Sequence, residues 1–214
     1  MGLATTALRL GVAGGLGYVL GTFPTADVVA SRASGGDVDL RTEGSGNPGT
    51  ANALKVLGAR AGAAVLVGDI GKGALACGLG SVIAGPAGAH LAGTASVAGH
   101  CYPVWNGFRG GKGVATSVGQ CLATFPAYFP FDVTVAVGTV VLPGWKRRAF
   151  AGTAVSSACW VAGGFLWWRR GWSNAWGPKP TALLPVAAVA TSAMIVQRFI
   201  AAERAGRQAE AAPA

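Results

Sequence analysis

The sequence predicts an all-α protein that crosses a lipid bilayer about seven times, with glycine-rich cytoplasmic loops. Three observations predict it. Only 12% of the 214 residues are charged, against 51% hydrophobic, whereas soluble domains carry about 25% charged residues. Apolar stretches recur along the chain with short polar segments between them. Glycine is abundant, at 35 residues, which suits helices packed closely in lipid. At this length, residues 1–214 form one domain.

The elements follow in order. Leu10 to Ala30 is the first apolar stretch, preceded by Arg9. It is too long for a signal-peptide core and reads as a membrane helix. A polar segment, Ser31 to Arg60, is rich in Gly, Asn, Asp and Arg. Ala61 to Leu79 and Val82 to Val104 are the next two spans. After a polar loop from Trp105 to Lys112 come a weaker span, Gly113 to Pro126, and then Tyr128 to Leu142, apolar apart from Asp132. The cluster Trp145-Lys146-Arg147-Arg148 separates that span from Ala149 to Trp168, and Thr181 to Val196 closes the set. Several of the seven are shorter than the roughly 20 residues a straight span needs, so six spans remain an alternative.

Charge distribution orients the chain. With an external N-terminus, the inner side holds Arg32, Arg41, Lys55, Arg60, Arg109, Lys112, Lys146, Arg147, Arg148, Arg198, Arg204 and Arg207. The outer side holds Arg9, Arg169, Arg170 and Lys179, and Lys72 lies within a span. That bias favours seven spans with the C-terminus inside. Trp167, Trp168, Trp172 and Trp176 then form an outer interfacial belt. The net charge of +9 raises nucleic acid as a partner. However, the cations lie in short clusters between apolar segments rather than on one polar face, which suits membrane orientation and anionic headgroups instead. Cys77, Cys101, Cys121 and Cys159 match no zinc or redox spacing and read as small apolar helix residues. No metal-ligand cluster is visible, and no cofactor is expected.

Two loops carry chemistry. The first holds Asp39, Arg41, Glu43, Gly44, Ser45, Gly46, Asn47, Gly49, Thr50, Asn52 and Lys55. Glycines alternate with short polar residues, and a helix is predicted to start near Thr50. Amides in such a turn and a helix N-terminus both suit an anion. Asn52 and Lys55, three apart, are expected to face the same bound group. An ordinary flexible loop with a helix cap explains the composition equally well.

The second loop runs from Gly99-His100 through Tyr102, Pro103, Trp105, Asn106 and Arg109 to Gly110-Gly111-Lys112-Gly113. It approaches a nucleotide phosphate loop but fails at Asn106, where glycine is required, and at Gly113, where Ser or Thr is required. Consecutive glycines, two cations and a helix start remain suited to phosphate. His100 has the chemistry of a general acid or base, although from spacing alone a backbone-bonded helix-end histidine is favoured. His90 reads as structural, as do Asp69 and Lys72, an i, i+3 pair inside the second span.

Together these loops resemble the PlsY family, the acyl-phosphate-dependent glycerol-3-phosphate acyltransferases of bacterial membranes. Ser45, Gly46, Asn47, Gly49 and Asn52, preceded by Asp39-Leu40-Arg41, match the family's first motif, Ser-Gly-Asn-x-Gly-Ala-Thr-Asn. Gly99 to Thr116 match the second almost throughout. Thr50-Ala51 reverses the usual Ala-Thr, and Arg109 replaces a common Lys. The third motif, His-Arg-x-Asn-Ile-x-Arg-Leu, is poorly kept. Gln197-Arg198 align with its start, Ile200 stands in place of the Asn, and Glu203 or Glu210 replaces a family glutamate only after a shift in alignment.

The resemblance implies acyl transfer from acyl phosphate to glycerol 3-phosphate, giving lysophosphatidic acid for phospholipid synthesis. It implies a bacterial plasma membrane location, and contact with membrane lipids and with the upstream enzyme that forms acyl phosphate. It casts Ser45, His100 and Lys112 as catalytic. Arg41, Asn47, Thr50, Asn52, Lys55, Arg109 and the amides of Gly110 and Gly111 would bind substrate. Two rivals stand beside it: a small transporter of a phosphorylated metabolite, which predicts paired broken helices in both halves of the chain, and a catalytically silent lipid-binding paralogue.

Overall fold

The computed structural model describes residues 2–142 and 148–211, with side chains to Ala205. Trp145, Lys146 and Arg147, and the side chains of Arg207 and Glu210, lie outside the described residues. The described residues are helical with no strand: α1 (Leu3–Gly21), α2 (Thr25–Ser34), α3 (Thr50–Leu57), α4 (Ala59–Cys101), α5 (Val114–Thr124), α6 (Phe129–Val141), α7 (Arg148–Arg170) and α8 (Leu183–Ala211). Four stretches are long and apolar enough to cross a membrane: Leu3–Ser34, Ala59–Asn106, Arg148–Arg170 and Leu183–Ala205.

The α4 stretch is two passes. Ala84 and Gly85 leave helical geometry, Gly85 at φ 64° and ψ −155°, where only glycine is at ease. Pro86, which lacks an N–H, starts the return limb. The limbs then lie back to back, so close that a β-carbon on Gly80 would fall 2.3 Å from the carbonyl oxygen of Gly88. These limbs are the second and third predicted spans.

The first predicted span needs correction. Leu10 to Ala30 is not one helix: α1 starts at Leu3 and stops at Gly21, and α2 is separate. Pro24 has no N–H to bond back to Leu20, so the ladder breaks there. Just before the break, the Phe23 carbonyl accepts from the Thr25 N–H at 2.9 Å and from Lys72 Nζ at 3.1 Å. Glycines weld α1 to the return limb of α4: a β-carbon on Gly17 would sit 2.3 Å from the carbonyl oxygen of Ala92, and one on Gly21 2.0 Å from that of Ser96. Gly73 and Gly119 do the same between α4 and α5.

Helix α5 has 11 residues, about 16 Å of rise, against a hydrocarbon core of about 30 Å. Its far end is completed by the loop before α8. Asn174 Nδ2 donates to the carbonyls of Thr124 (3.0 Å) and Pro178 (2.7 Å), and Trp176 Nε1 donates to Leu122 (3.2 Å). Phe125, Tyr128, Trp160 and Leu184 pack beneath that loop. Asp132 on α6, the one charged residue of its predicted span, accepts from Ser156 Oγ on α7. All four cysteines are free. Alternating passes place the Ala84–Gly85 turn and the α7–α8 loop on one face. The two motif loops lie on the opposite face.

Candidate active site

The first loop is built around Asn52. Its Nδ2 donates to the carbonyls of Leu40 and Glu43, both at 2.9 Å, and its Oδ1 accepts from the Ser45 N–H at 2.8 Å. Asn52 is buried. Its side chain thus shapes the loop that presents Ser45. Gly44, at φ 63°, gives it room, since a β-carbon there would lie 2.3 Å from Asn52 Oδ1. Helix α3 starts at Thr50 as expected, and Thr50 Oγ1 is buried with no partner. Lys55 is exposed and lines neither cavity described below.

The second loop doubles back on the end of α4. After a 3₁₀ turn at Val104–Asn106, the N–H of Gly110 bonds to Cys101 O and that of Gly111 to His100 O, both at 3.1 Å. Their amides are therefore taken, which corrects their assignment to phosphate binding. The glycines serve close approach instead: a β-carbon on Gly110 would fall 2.1 Å from His100 O, and one on Gly111 2.2 Å from His100 Nε2. Their carbonyls are held from α8. Arg198 Nε donates to Gly111 O at 3.1 Å and Nη2 donates to Gly110 O, while the guanidinium lies 5.4 Å from the Tyr102 ring centroid. Arg109 is exposed and, like Lys55, lines neither cavity.

Beyond the clamp, Lys112 Nζ sits 4.4 Å from the Phe199 ring centroid. Burial, and then the neighbouring Arg198 cation, hold its pKa below the ordinary lysine value. A cavity of about 480 Å³ is lined by Lys112, by Ser45 and Asn47 from the first loop, and by Arg148, Phe199 and Glu203. The two motifs thus converge on one space, which the cations Lys112 and Arg148 share with the small polar groups of Ser45 and Asn47 and the carboxylate of Glu203.

A second, smaller cavity lies beside it, lined by His100, Asp69, Lys72, Arg41 and Asp27. Lys72 Nζ is 2.8 Å from Asp69 Oδ1, and His100 Nδ1 is 3.6 Å from the same oxygen. The Asp69–Lys72 pair expected from the sequence is present, but it extends to His100, and all three are buried. Arg41 pairs with Asp27 at 2.5 Å, using one terminal nitrogen and leaving other donors of its guanidinium. Spacing identified neither the link from Asp69 to His100 nor the clamping role of Arg198. The signal for the first was an ionisable pair inside a span. For the second it was a cation next to Phe199 near the end of α8.

The family model described as glycerol-3-phosphate acyltransferase matches residues 12–204. A glycerol-3-phosphate acyltransferase of Exiguobacterium sibiricum is 48% identical over 114 residues, covering 53% of this chain and 54% of that protein. The matched stretch thus spans about half of that relative's length. One from Azotobacter vinelandii is 39% identical over 177 residues, covering 80% of this chain and 82% of its own. The crystal structure of PlsY (YgiH), an integral membrane glycerol 3-phosphate acyltransferase in its glycerol 3-phosphate form, superposes with a TM-score of 0.70 at 28% identity. That match covers 96% of this chain and 92% of that one. The motifs, the helical membrane fold and the match over residues 12–204 agree, and the chain belongs to the glycerol-3-phosphate acyltransferase family of the PlsY type.

Proposed function

We propose that the protein transfers a fatty acyl group from acyl phosphate to the sn-1 hydroxyl of glycerol 3-phosphate, releasing lysophosphatidic acid and inorganic phosphate. The observation that carries this reading is the convergence of Ser45, Asn47 and Lys112, from two motifs, on one cavity at a membrane face. An acyl phosphate is already activated, so no covalent enzyme intermediate is needed. The hydroxyl oxygen attacks the acyl carbon and an ester C–O bond forms. The bond from the acyl carbon to the phosphate oxygen breaks, and phosphate leaves with that electron pair. The hydroxyl proton passes to a phosphate oxygen of the substrates.

The protein supplies position and charge. Lys112 and Arg148 offer cations to phosphate, Arg41 a further one from the neighbouring cavity, and Ser45 and Asn47 orient the acceptor. His100, fixed between Asp69 and Gly111, orders the floor. Thr50 helps set the loop end. The loops face the cytoplasm of a bacterial plasma membrane, where an upstream acyl-phosphate-forming enzyme would deliver the donor. The transporter reading loses support. Among the described residues, the apolar runs break after α1 at Pro24 and within α4 at Ala84–Gly85, both at membrane faces and both in the first half of the chain, whereas a transporter is expected to break helices in pairs across both halves.

The test uses the purified chain in detergent with radiolabelled glycerol 3-phosphate. Label should enter lipid with palmitoyl phosphate as donor and not with palmitoyl-CoA. A folded protein that labels lipid with neither donor sinks the reading and favours the silent paralogue.

A further inference from the structure

Lys112 carries its charge in a setting that works against it. The lysine is half-buried, and burial and the neighbouring Arg198 both disfavour its ammonium. A cation withdrawn from water is ordinarily paired with a carboxylate. Among the described residues no ion pair or hydrogen bond reaches Lys112 Nζ, although Glu203 lines the same cavity. What meets the ammonium is an aromatic face. Lys112 Nζ stands 4.4 Å from the Phe199 centroid, within the roughly 6 Å over which the negative face of a ring attracts a cation.

The ring is fixed by its neighbours. Phe150 on α7 packs against it, with centroids 5.6 Å apart and planes tilted by 55°. Within α8, Phe199 lies one turn after Ile195, and both join the cluster built on Val97 and Cys101 at the end of α4. The preceding residue, Arg198, holds the carbonyls of Gly110 and Gly111. Consecutive helix residues point about 100° apart. Helix α8 therefore grips the second loop with two adjacent side chains, Arg198 on its backbone and Phe199 on its cation.

We propose that Phe199 is a positioning residue for the transfer: its ring face holds the Lys112 ammonium at the cavity wall and leaves the N–H donors of that ammonium to the substrate phosphate. The proposal rests on the reaction above. A carboxylate in the place of the ring would neutralise the cation and compete with phosphate for its three donors. The ring attracts the cation through its quadrupole and adds no net charge. The other charged groups around Lys112 are Arg198 and Glu203 from α8 and Arg148 from the start of α7, while the first loop brings the neutral Ser45 and Asn47. Arg198 opposes the ammonium, and the ring offsets it without blocking the cavity.

The test replaces Phe199 in the full chain with mono-, di- and trifluorophenylalanine in turn. Fluorine nearly preserves the ring's shape while draining the negative potential of its face, so packing and charge attraction are separated. In steady-state pH profiles with palmitoyl phosphate, the alkaline limb of kcat/KM should move to lower pH with each added fluorine. The trifluoro variant should lie about half to one unit below the wild type. The limb of kcat should move less, because bound phosphate itself holds the ammonium. Phe199→Leu should behave as the trifluoro variant does, and Phe199→Trp should keep the limb near that of the wild type. A limb that stays put through the fluorine series reduces Phe199 to packing and overturns the proposal. The pH midpoint of Lys112 acetylation by acetic anhydride, followed by mass spectrometry, reads the same shift without turnover. If the wild type turns over no acyl phosphate, the reaction fails, and the fluorine dependence of that midpoint still decides the ring contact.

Discussion

Lys112 shows how a residue legible in the sequence acquires its chemistry only from the fold. Gly110-Gly111-Lys112-Gly113 announces a phosphate site by composition, yet the glycine amides are consumed by His100 and Cys101. The side chain of Lys112 is left as the principal donor of that loop. Replacing it by alanine should lower kcat/KM by roughly 100-fold, the scale of a lost charged hydrogen bond, while the protein stays folded and membrane-inserted. Wild-type turnover in that variant would remove Lys112 from the mechanism. Its pKa adds a second prediction. Burial and Arg198 favour the neutral amine, so activity that needs the ammonium is lost as pH rises through a value below the ordinary lysine range. Bound phosphate favours the ammonium, so the alkaline limb of kcat should lie above that of kcat/KM. Coincident limbs in steady-state pH profiles would contradict this. Asn52 makes the opposite point: its motif position was visible, but its role required seeing three bonds close on Leu40, Glu43 and Ser45. Asn52→Ala should destabilise the protein by about 2–4 kcal/mol, since it removes three hydrogen bonds, one buried and two part-buried. Thermal unfolding in detergent reads this, and an unshifted midpoint would argue for a substrate contact instead.

Among the elements, α1 and α8 mark where the sequence reading succeeded and where it stopped. Hydropathy located α1 but carried it through Pro24, because Ala26, Val28, Val29 and Ala30 continue the apolar run. The physical break is a missing N–H, which a hydropathy window does not register. The glycine content correctly signalled close packing, although only coordinates pair Gly17 with Ala92 and Gly21 with Ser96. Gly21→Val should cost about 1–3 kcal/mol through overpacking of that seam, seen as a lower unfolding midpoint. Helix α8 carried the poorly kept third motif, and the structure explains what survives there. Arg198 clamps Gly110 and Gly111, and Gln197 Oε1 accepts from Tyr102 Oη at 3.1 Å. Lysine at 198 preserves charge but not the two-pronged geometry. Arg198→Lys should therefore lose activity roughly as Arg198→Ala does, and guanidinium ion should partly rescue the alanine variant. Full activity in Arg198→Lys would reduce the clamp to a point charge.

Across the whole molecule, seven alternating passes put both motif loops on one face, the same face that the Lys and Arg bias assigns to the cytoplasm. Periodicity and charge counting could reach this topology, because each loop's position follows from the parity of the spans before it. They could not reach it decisively, because Arg169, Arg170 and Lys179 make the opposite face basic as well. Nor could they say how α5, too short to cross, is completed by Asn174 and Trp176 from a loop about 50 residues on. The arrangement can be read with thiols. Cys77, Cys101 and Cys121 are buried, so a membrane-impermeant maleimide meets little native background. Ser31 and Ser173 are exposed on opposite faces, and Ser→Cys is nearly isosteric at both. In right-side-out vesicles Ser173→Cys should label and Ser31→Cys should not, and inverted vesicles should reverse the pattern. Labelling of both from one side would mean an even number of passes between them. One of the short helices α5 or α6 would then fail to cross, and the Lys112 cavity would lose the α8 wall that carries Phe199 and Glu203.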